Sequence, residues 1–173
     1  MQYTPREPDP IANLLEPLVH GMGMSLVELS VSRTKSAKSK GSGKKDSAKK
    51  GEMKESSRVQ IRLVVYKPGV IGIDDCSRLH HAILPRLELA FPKNELYVEV
   101  SSPGIARLIK DGSEFSHYIG RGIRCYHIEV SDWICGILQS ANTGGIVLKT
   151  QEGMTELTYS SIGKAKLDYS QED

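Results

Sequence analysis

Leu96-Tyr97-Val98-Glu99-Val100-Ser101-Ser102-Pro103-Gly104 constrains this chain more than any other stretch, because an alternating strand runs straight into a rigid turn. Leu96, Val98 and Val100 fall on one face and Tyr97, Glu99 and Ser101 on the other, the period of a half-buried strand. Pro103 fixes its own φ and disfavours helix at Ser102, while Gly104 accepts positive φ, so the chain turns here. An α/β pattern precedes the turn and a run of short strands follows it. The segment therefore reads as the seam between two domains.

Before the seam, Ile11, Leu14, Leu15, Leu18, Val19 and Met22 recur at helical spacing. A helix over 10–22 follows, with Asp9 as N-cap, Pro10 at its first position, Gly21 and Gly23 at its end, and a kink expected at Pro17. Strands are expected over 24–33, with Val27, Leu29 and Val31 on one face, and over 58–66, with Val59, Ile61, Leu63 and Val65 inward. Lys67-Pro68-Gly69 turns the chain into a helix capped by Asp74 or Asp75 and carrying Cys76, Leu79, Ile83, Leu84 and Leu87, interrupted at Pro85. With the strand over 95–101, the order is helix–strand–strand–helix–strand, a small α/β sandwich.

After Gly104, residues 112–119 suggest one or two helical turns closed by Gly120. Strands then follow at 122–129, 133–140, 145–150, 155–160 and 164–168, separated by turns such as Asn142-Thr143-Gly144-Gly145. Five short strands in about fifty residues fit a small Sm-like or SH3-like β-barrel. The expected fold class is thus α+β with two domains: an N-terminal domain over 1–102, a connector over 103–120 and a C-terminal barrel over 121–173.

Residues 34–57 stand apart. They hold eight lysines against Asp46, Glu52 and Glu55, and no Leu, Ile, Val or aromatic residue. Such a stretch buries too little surface to offset its ordering entropy, so it reads as a disordered loop on a hairpin. Elsewhere the chain has 15 basic and 18 acidic residues, so its slight basicity comes from this one segment. Lys44, Lys45, Lys49 and Lys50 are the candidates for attracting phosphates, a contact that raises affinity without reading sequence; an inert solubilising loop is the other reading.

Several chemistries find no support. Ser101-Ser102 lacks the Gly-x-Ser-x-Gly elbow of a hydrolase nucleophile, and the adjacent His80 and His81 point about 100° apart on a helix. Cys76, Cys125 and Cys135 form no CxxC pair, and Cys125 with His127 would need two further ligands to hold a metal. Gly41-Ser42-Gly43-Lys44-Lys45 has no strand before it and no helix after it, as a phosphate-binding loop requires. No cofactor or small-molecule substrate is expected. No apolar run reaches the roughly 18 residues of a membrane span, and no apolar signal region follows Met1–Arg6. Arg107, Lys110, Arg121 and Arg124 cluster around the seam, and Trp133 sits at a turn with Tyr126 in the strand before it. Those aromatics fit stacking on RNA, packing on a partner protein, or cover for one end of the barrel.

The order Leu14-Leu15-Glu16-Pro17, Gly23, Val64-Val65-Tyr66, Lys67-Pro68-Gly69, Ile73-Asp74-Asp75-Cys76-Ser77-Arg78 and Tyr97 through Gly104 resembles the RimP family of ribosome maturation factors. The likeness continues through Arg107, Phe115, Ile119-Gly120-Arg121, Gly136-Ile137-Leu138 and Ile162 through Leu167, and omits the lysine-rich stretch. It implies an α/β domain followed by an Sm-like barrel, in a cytoplasmic bacterial protein that is not an enzyme. It also implies binding to the free small (30S) ribosomal subunit, through a ribosomal protein near the decoding region and rRNA, in late assembly. Carried onto this chain, that reading makes a monomer in which Ser101, Ser102, Pro103, Gly104 and Arg107 set the junction and Arg121, Arg124 and Trp133 meet the partners. A generic RNA-binding Sm-like regulator is the alternative.

Overall fold

The computed structural model describes residues 1–5, 7–35, 57–69, 71–92 and 94–172. They divide into two compact units, one of Leu14–Ser101 and one that joins Met1–Asn13 to Ser102–Asp173. The boundary in the middle of the chain falls between Ser101 and Ser102. The first thirteen residues, expected in the N-terminal domain, cluster instead with the C-terminal unit, and residues 103–120 form no separate body.

Helix α1 (Pro10–Gly21) starts as its sequence dictates: Asp9 Oδ1 accepts from the N–H groups of Ile11 (2.7 Å) and Ala12 (3.2 Å), and Pro10 follows it. It ends in a Schellman motif, in which Gly23 (φ 71°) donates to His20 O and Met24 to Val19 O. Pro17 and the residue four before it, Asn13, are both exposed, so the proline lies on the outer side of the helix, which runs on through it to Gly21.

The first unit holds a three-stranded sheet in the order β1 (Ser25–Lys35), β2 (Ser57–Tyr66), β3 (Glu95–Ser101). β1 and β2 are antiparallel and β2 and β3 parallel. The last β1–β2 pair is Lys35 with Ser57, and the intervening 36–56 lie outside the described residues. Val59, Ile61, Leu63 and Val65 of β2 are fully buried, while Arg58, Gln60 and Arg62 face out. Arg58 and Arg62 pair across the parallel ladder with Glu95 and Glu99. β1 departs from simple alternation. A bulge at Val27 brings Leu26 and Leu29, three apart in sequence, opposite Val65 and Leu63 on the core side.

Helix α2 (Ile73–Ala90) covers this sheet with Leu79, Ile83 and Leu87, all fully buried. It continues through Pro85, which is exposed along with His81 one turn earlier. The capping residue is Gly72 rather than Asp74 or Asp75. Asp75 sits at the third helical position and reaches back to the Gly72 N–H (3.2 Å), where it also meets Lys67 (3.3 Å) and Arg78 (2.5 Å). The Gly72 N–H, then Arg78 and Lys67, hold the Asp75 carboxyl below its usual pKa.

The second unit is one antiparallel sheet of six strands in the order β4 (Leu108–Ile109), β9 (Ile162–Leu167), β5 (Gly122–His127), β6 (Asp132–Ala141), β7 (Gly145–Thr150), β8 (Gly153–Thr158). The two-residue β4 had no counterpart in the sequence reading. Its end strands β4 and β8 are not hydrogen-bonded to each other, so the ladder among the described residues does not close. Ile123, Cys125, Leu138, Ile146, Leu148, Ala165 and Leu167 form the core, with Phe115 and Tyr118 from a 3₁₀ segment at Gly112–Tyr118. The N-terminal arm crosses this unit. Gly112 N–H donates to Gln2 O (2.7 Å), Thr4 N–H to Asp111 (3.0 Å), and Tyr3 stacks on Tyr159 at 5.7 Å. Arg107 and Glu114, both with side chains 12% exposed, form an ion pair of 3.1 Å that ties the approach to β4 to the 3₁₀ segment.

Two outcomes follow from these ion pairs. A carboxylate whose folded pKa is depressed stabilises above its unfolded pKa of about 3.9 and loses that contribution as pH falls through the folded value. Asp75→Asn therefore lowers the thermal midpoint at pH 7, and the gap to the wild-type chain narrows on acidification below pH 4; an equal gap at pH 7 and pH 3 contradicts the assignment. In the second unit, Arg107→Leu strands the Glu114 carboxylate and costs roughly 3–5 kcal/mol, whereas Arg107→Leu with Glu114→Leu costs less than that single change. Urea unfolding read by the fluorescence of Trp133, the one tryptophan, measures both variants.

Candidate functional site

The pairing of β5 with both β6 and β9 sorts side chains onto two faces. Residues directly opposite in an antiparallel ladder share a face, and alternate residues change face. Ile123 and Cys125 point into the core, which leaves Arg124 and Tyr126 outward. Trp133 lies opposite Tyr126, which lies opposite Lys164; Cys135 lies opposite Arg124, which lies opposite Lys166. One row further along, Ile137 faces Lys149. The outward face of the sheet thus presents an aromatic pair among four cations.

Trp133 remains 39% exposed. Tyr126 meets it edge-on, with ring centres 5.5 Å apart and planes at 69°. Lys166 Nζ stands 5.6 Å and the Arg124 guanidinium 6.0 Å from the indole centre, within the range of cation–π attraction. Arg124 also donates through Nε to Asp168 (2.9 Å), whose charge raises the pKa of the guanidinium. The Ser170 hydroxyl, and the Arg124 charge, hold Asp168 below the ordinary carboxylate range. Lys149, Lys164 and Lys166 form no ion pair among the described residues.

Arg121 is placed differently. It bonds Glu172 through Nε (2.7 Å), lies 4.4 Å from the centre of the Tyr169 ring, and is 13% exposed at its side chain. Its partners come from the C-terminal segment 168–172, which folds back across the start of β5. Glu172 accepts from the Gly122 N–H (2.9 Å) and Gly122 O accepts from Asp168 N–H (2.8 Å). A Cβ at Gly122 would stand 2.1 Å from the Asp168 carbonyl oxygen, so only glycine lets the two backbones approach this closely.

Of the residues singled out from the sequence, Arg124 and Trp133 come together on this face. Arg107 and Arg121 are held in ion pairs of their own. Ser101 ends β3 and donates through Oγ to Leu63 O (3.4 Å); Ser102 and Gly104 are exposed, and Pro103 is buried. Gly104 O accepts from the Arg107 N–H, closing the turn. Lys44, Lys45, Lys49 and Lys50 lie outside the described residues. Sequence reasoning passed over Lys149, Lys164 and Lys166. The alternation Lys164-Ala165-Lys166-Leu167 carried the signal for two of them, since it puts both lysines opposite the buried Ala165 and Leu167. No local signal marks Asp168 or Glu172, whose partners lie 44 and 51 residues away.

The remaining candidate chemistries resolve into local structure. His81 Nδ1 lies 2.7 Å from Ser77 O, and His127 Nδ1 accepts from the Val130 N–H (3.3 Å) in the β5–β6 turn. Burial pushes the Cys125 thiol up to about 12, so it stays protonated. Among the described residues no three His, Cys, Asp or Glu side chains stand together as a metal would need, and no helix is long and apolar enough to cross a membrane.

The chain matches known proteins along most of its length. A family model described as the RimP N-terminal domain matches residues 52–106. The Ribosome maturation factor RimP of Borrelia turicatae (strain 91E135) is 34% identical over 114 residues, 66% of this chain and 78% of that protein. Those of Borrelia hermsii (strain HS1 / DAH) and Borrelia recurrentis (strain A1) are 31% and 29% identical over 157 residues, 91% of this chain and 93% of each relative. With relatives this similar over nearly their whole length, the chain belongs to the RimP family of ribosome maturation factors.

Proposed function

We propose that this protein is a non-catalytic, cytoplasmic assembly factor that binds the free small (30S) ribosomal subunit as a monomer and assists its late maturation. The observation that carries the reading is the likeness, across 91% of the chain, to proteins named ribosome maturation factors. The outward face of the second unit adds to it: four cations suit the phosphates of RNA, and two aromatic rings suit a base or an apolar patch on a protein. The partners proposed are rRNA and a ribosomal protein near the decoding region, met by Arg124 and Trp133, with Ser101 to Gly104 linking the units. Lys44, Lys45, Lys49 and Lys50 add long-range attraction to phosphates.

The second unit is read as an Sm-like barrel. Supporting this are the uninterrupted meander β5–β6–β7–β8, the 3₁₀ turn Tyr159–Ser161, and the return of β9 against β5. The same resemblance keeps a second function in view, a generic RNA-binding regulator. Against it stands the acidic excess of the chain outside residues 34–57, which confines attraction for RNA to local basic faces and leaves free RNA bound more weakly than a whole subunit.

Co-sedimentation with purified small subunits, large subunits and whole ribosomes across a salt series separates these functions, run on the intact chain and on one lacking residues 34–57. Both versions are expected to pellet selectively with free small subunits, the shortened one with a shallower salt dependence. Binding to every RNA-containing particle, lost with salt and with the lysine-rich stretch, overturns the assembly-factor reading.

A further inference from the structure

We propose that the outward face of β9, β5 and β6 is a stacking site for single-stranded RNA, with a base on Trp133 and the flanking phosphates on Lys164 and Lys166. The proposal deepens the function above and rests on it for the choice of RNA over other polyanions. Three observations carry it. The indole is 39% exposed while Tyr126 braces its edge and Lys166 and Arg124 approach its ring, so a large flat surface is held in place rather than free to turn. Lys164 and Lys166 stand two residues apart on one strand, directly across from Tyr126 and Arg124, and Lys149 lies on the same face beyond Cys135 and Ile137. None of the three lysines has an acidic partner among the described residues, whereas the chain outside 34–57 carries an excess of acid. Against these cations the face sets two acids, Asp168, already engaged by Arg124, and Glu156, opposite Val147 on the neighbouring strand.

An exposed aromatic ring with unpaired lysines beside it is what unpaired nucleotides recognise: the ring takes any base, and the ammonium groups track the backbone. Duplex RNA offers no free base face. An acidic protein segment satisfies the lysines and leaves the indole without a flat partner.

The single tryptophan makes the site directly observable. The full chain is titrated with an unstructured A/C oligoribonucleotide of about eight nucleotides, within the span of such sites. The same strand annealed to its complement and an oligoglutamate of equal charge serve as comparisons. Saturable quenching of Trp133 by the single strand alone is expected. Trp133→Ala should weaken binding of the labelled strand about tenfold or more, with Trp133→Phe restoring most of it. Lys164→Ala with Lys166→Ala should flatten the log–log salt dependence by about 1.4. Lys164 is exposed, so Lys164→Glu tests the site where Trp133→Ala fails to fold. Equal quenching by duplex or oligoglutamate overturns the stacking site, as does an affinity that Trp133→Ala and Lys164→Glu leave unchanged. Either result stands even where the wild-type chain still pellets with small subunits, so the site and the assembly function fail separately.

Discussion

Strand β5 is shared between two neighbours, and the rest of the C-terminal unit depends on the register of that double pairing. Its side chains alternate, so one choice of register puts Ile123 and Cys125 into the core and Arg124 and Tyr126 outside. A slip of one residue would reverse both sets at once, burying a guanidinium and exposing two apolar groups. Because β6 and β9 are registered on the same strand, Trp133, Lys164 and Lys166 are fixed on the outward side by the same choice. Core and candidate binding face are therefore two readings of one hydrogen-bond ladder. The close approach of Gly122 to Asp168 extends the constraint to the C-terminal segment, which reaches both Arg121 and Arg124.

How far the sequence carried depends on the range of the interaction. Period-two alternation in 58–66 named the buried set Val59, Ile61, Leu63 and Val65, and Asp9-Pro10 marked the start of α1, because both signals are local. Elsewhere local rules competed with one another. Pro17 and Pro85 both sit inside helices, on the exposed side, so their rings do not enter the core and α2 is not interrupted at Pro85. Asp75 read as an N-cap by type, but Gly72 took that position and left the carboxylate to reach back, where Lys67 and Arg78 bind it too. The bulge at Val27 has no sequence signature, and it shifts the inward set of β1 from the one simple alternation gives. The docking of Met1–Asn13 with the distant C-terminal unit and the pairing of Arg121 with Glu172 are contacts between segments far apart in the chain. No window of residues contains both partners, so composition and periodicity are silent about them.

The two kinds of basic side chain divide their tasks accordingly. The arginines singled out in the sequence are engaged, Arg107 with Glu114, Arg121 with Glu172 and Arg124 with Asp168, while Arg58 and Arg62 form more exposed pairs with Glu95 and Glu99. A planar guanidinium is weakly hydrated and matches a carboxylate fork, so it loses little on entering a half-buried ion pair. The ammonium of lysine is compact and strongly hydrated, and Lys149, Lys164 and Lys166 stay at the surface without acidic partners among the described residues. Charge presented by lysine attracts a phosphate backbone over a distance set by the salt and carries no information about base identity. On the proposed function, any preference this face shows among RNA surfaces must then come from shape and from the rigid indole of Trp133. Tyr126, Arg124 and Lys166 hold that indole, and the β5 register puts all three within its reach.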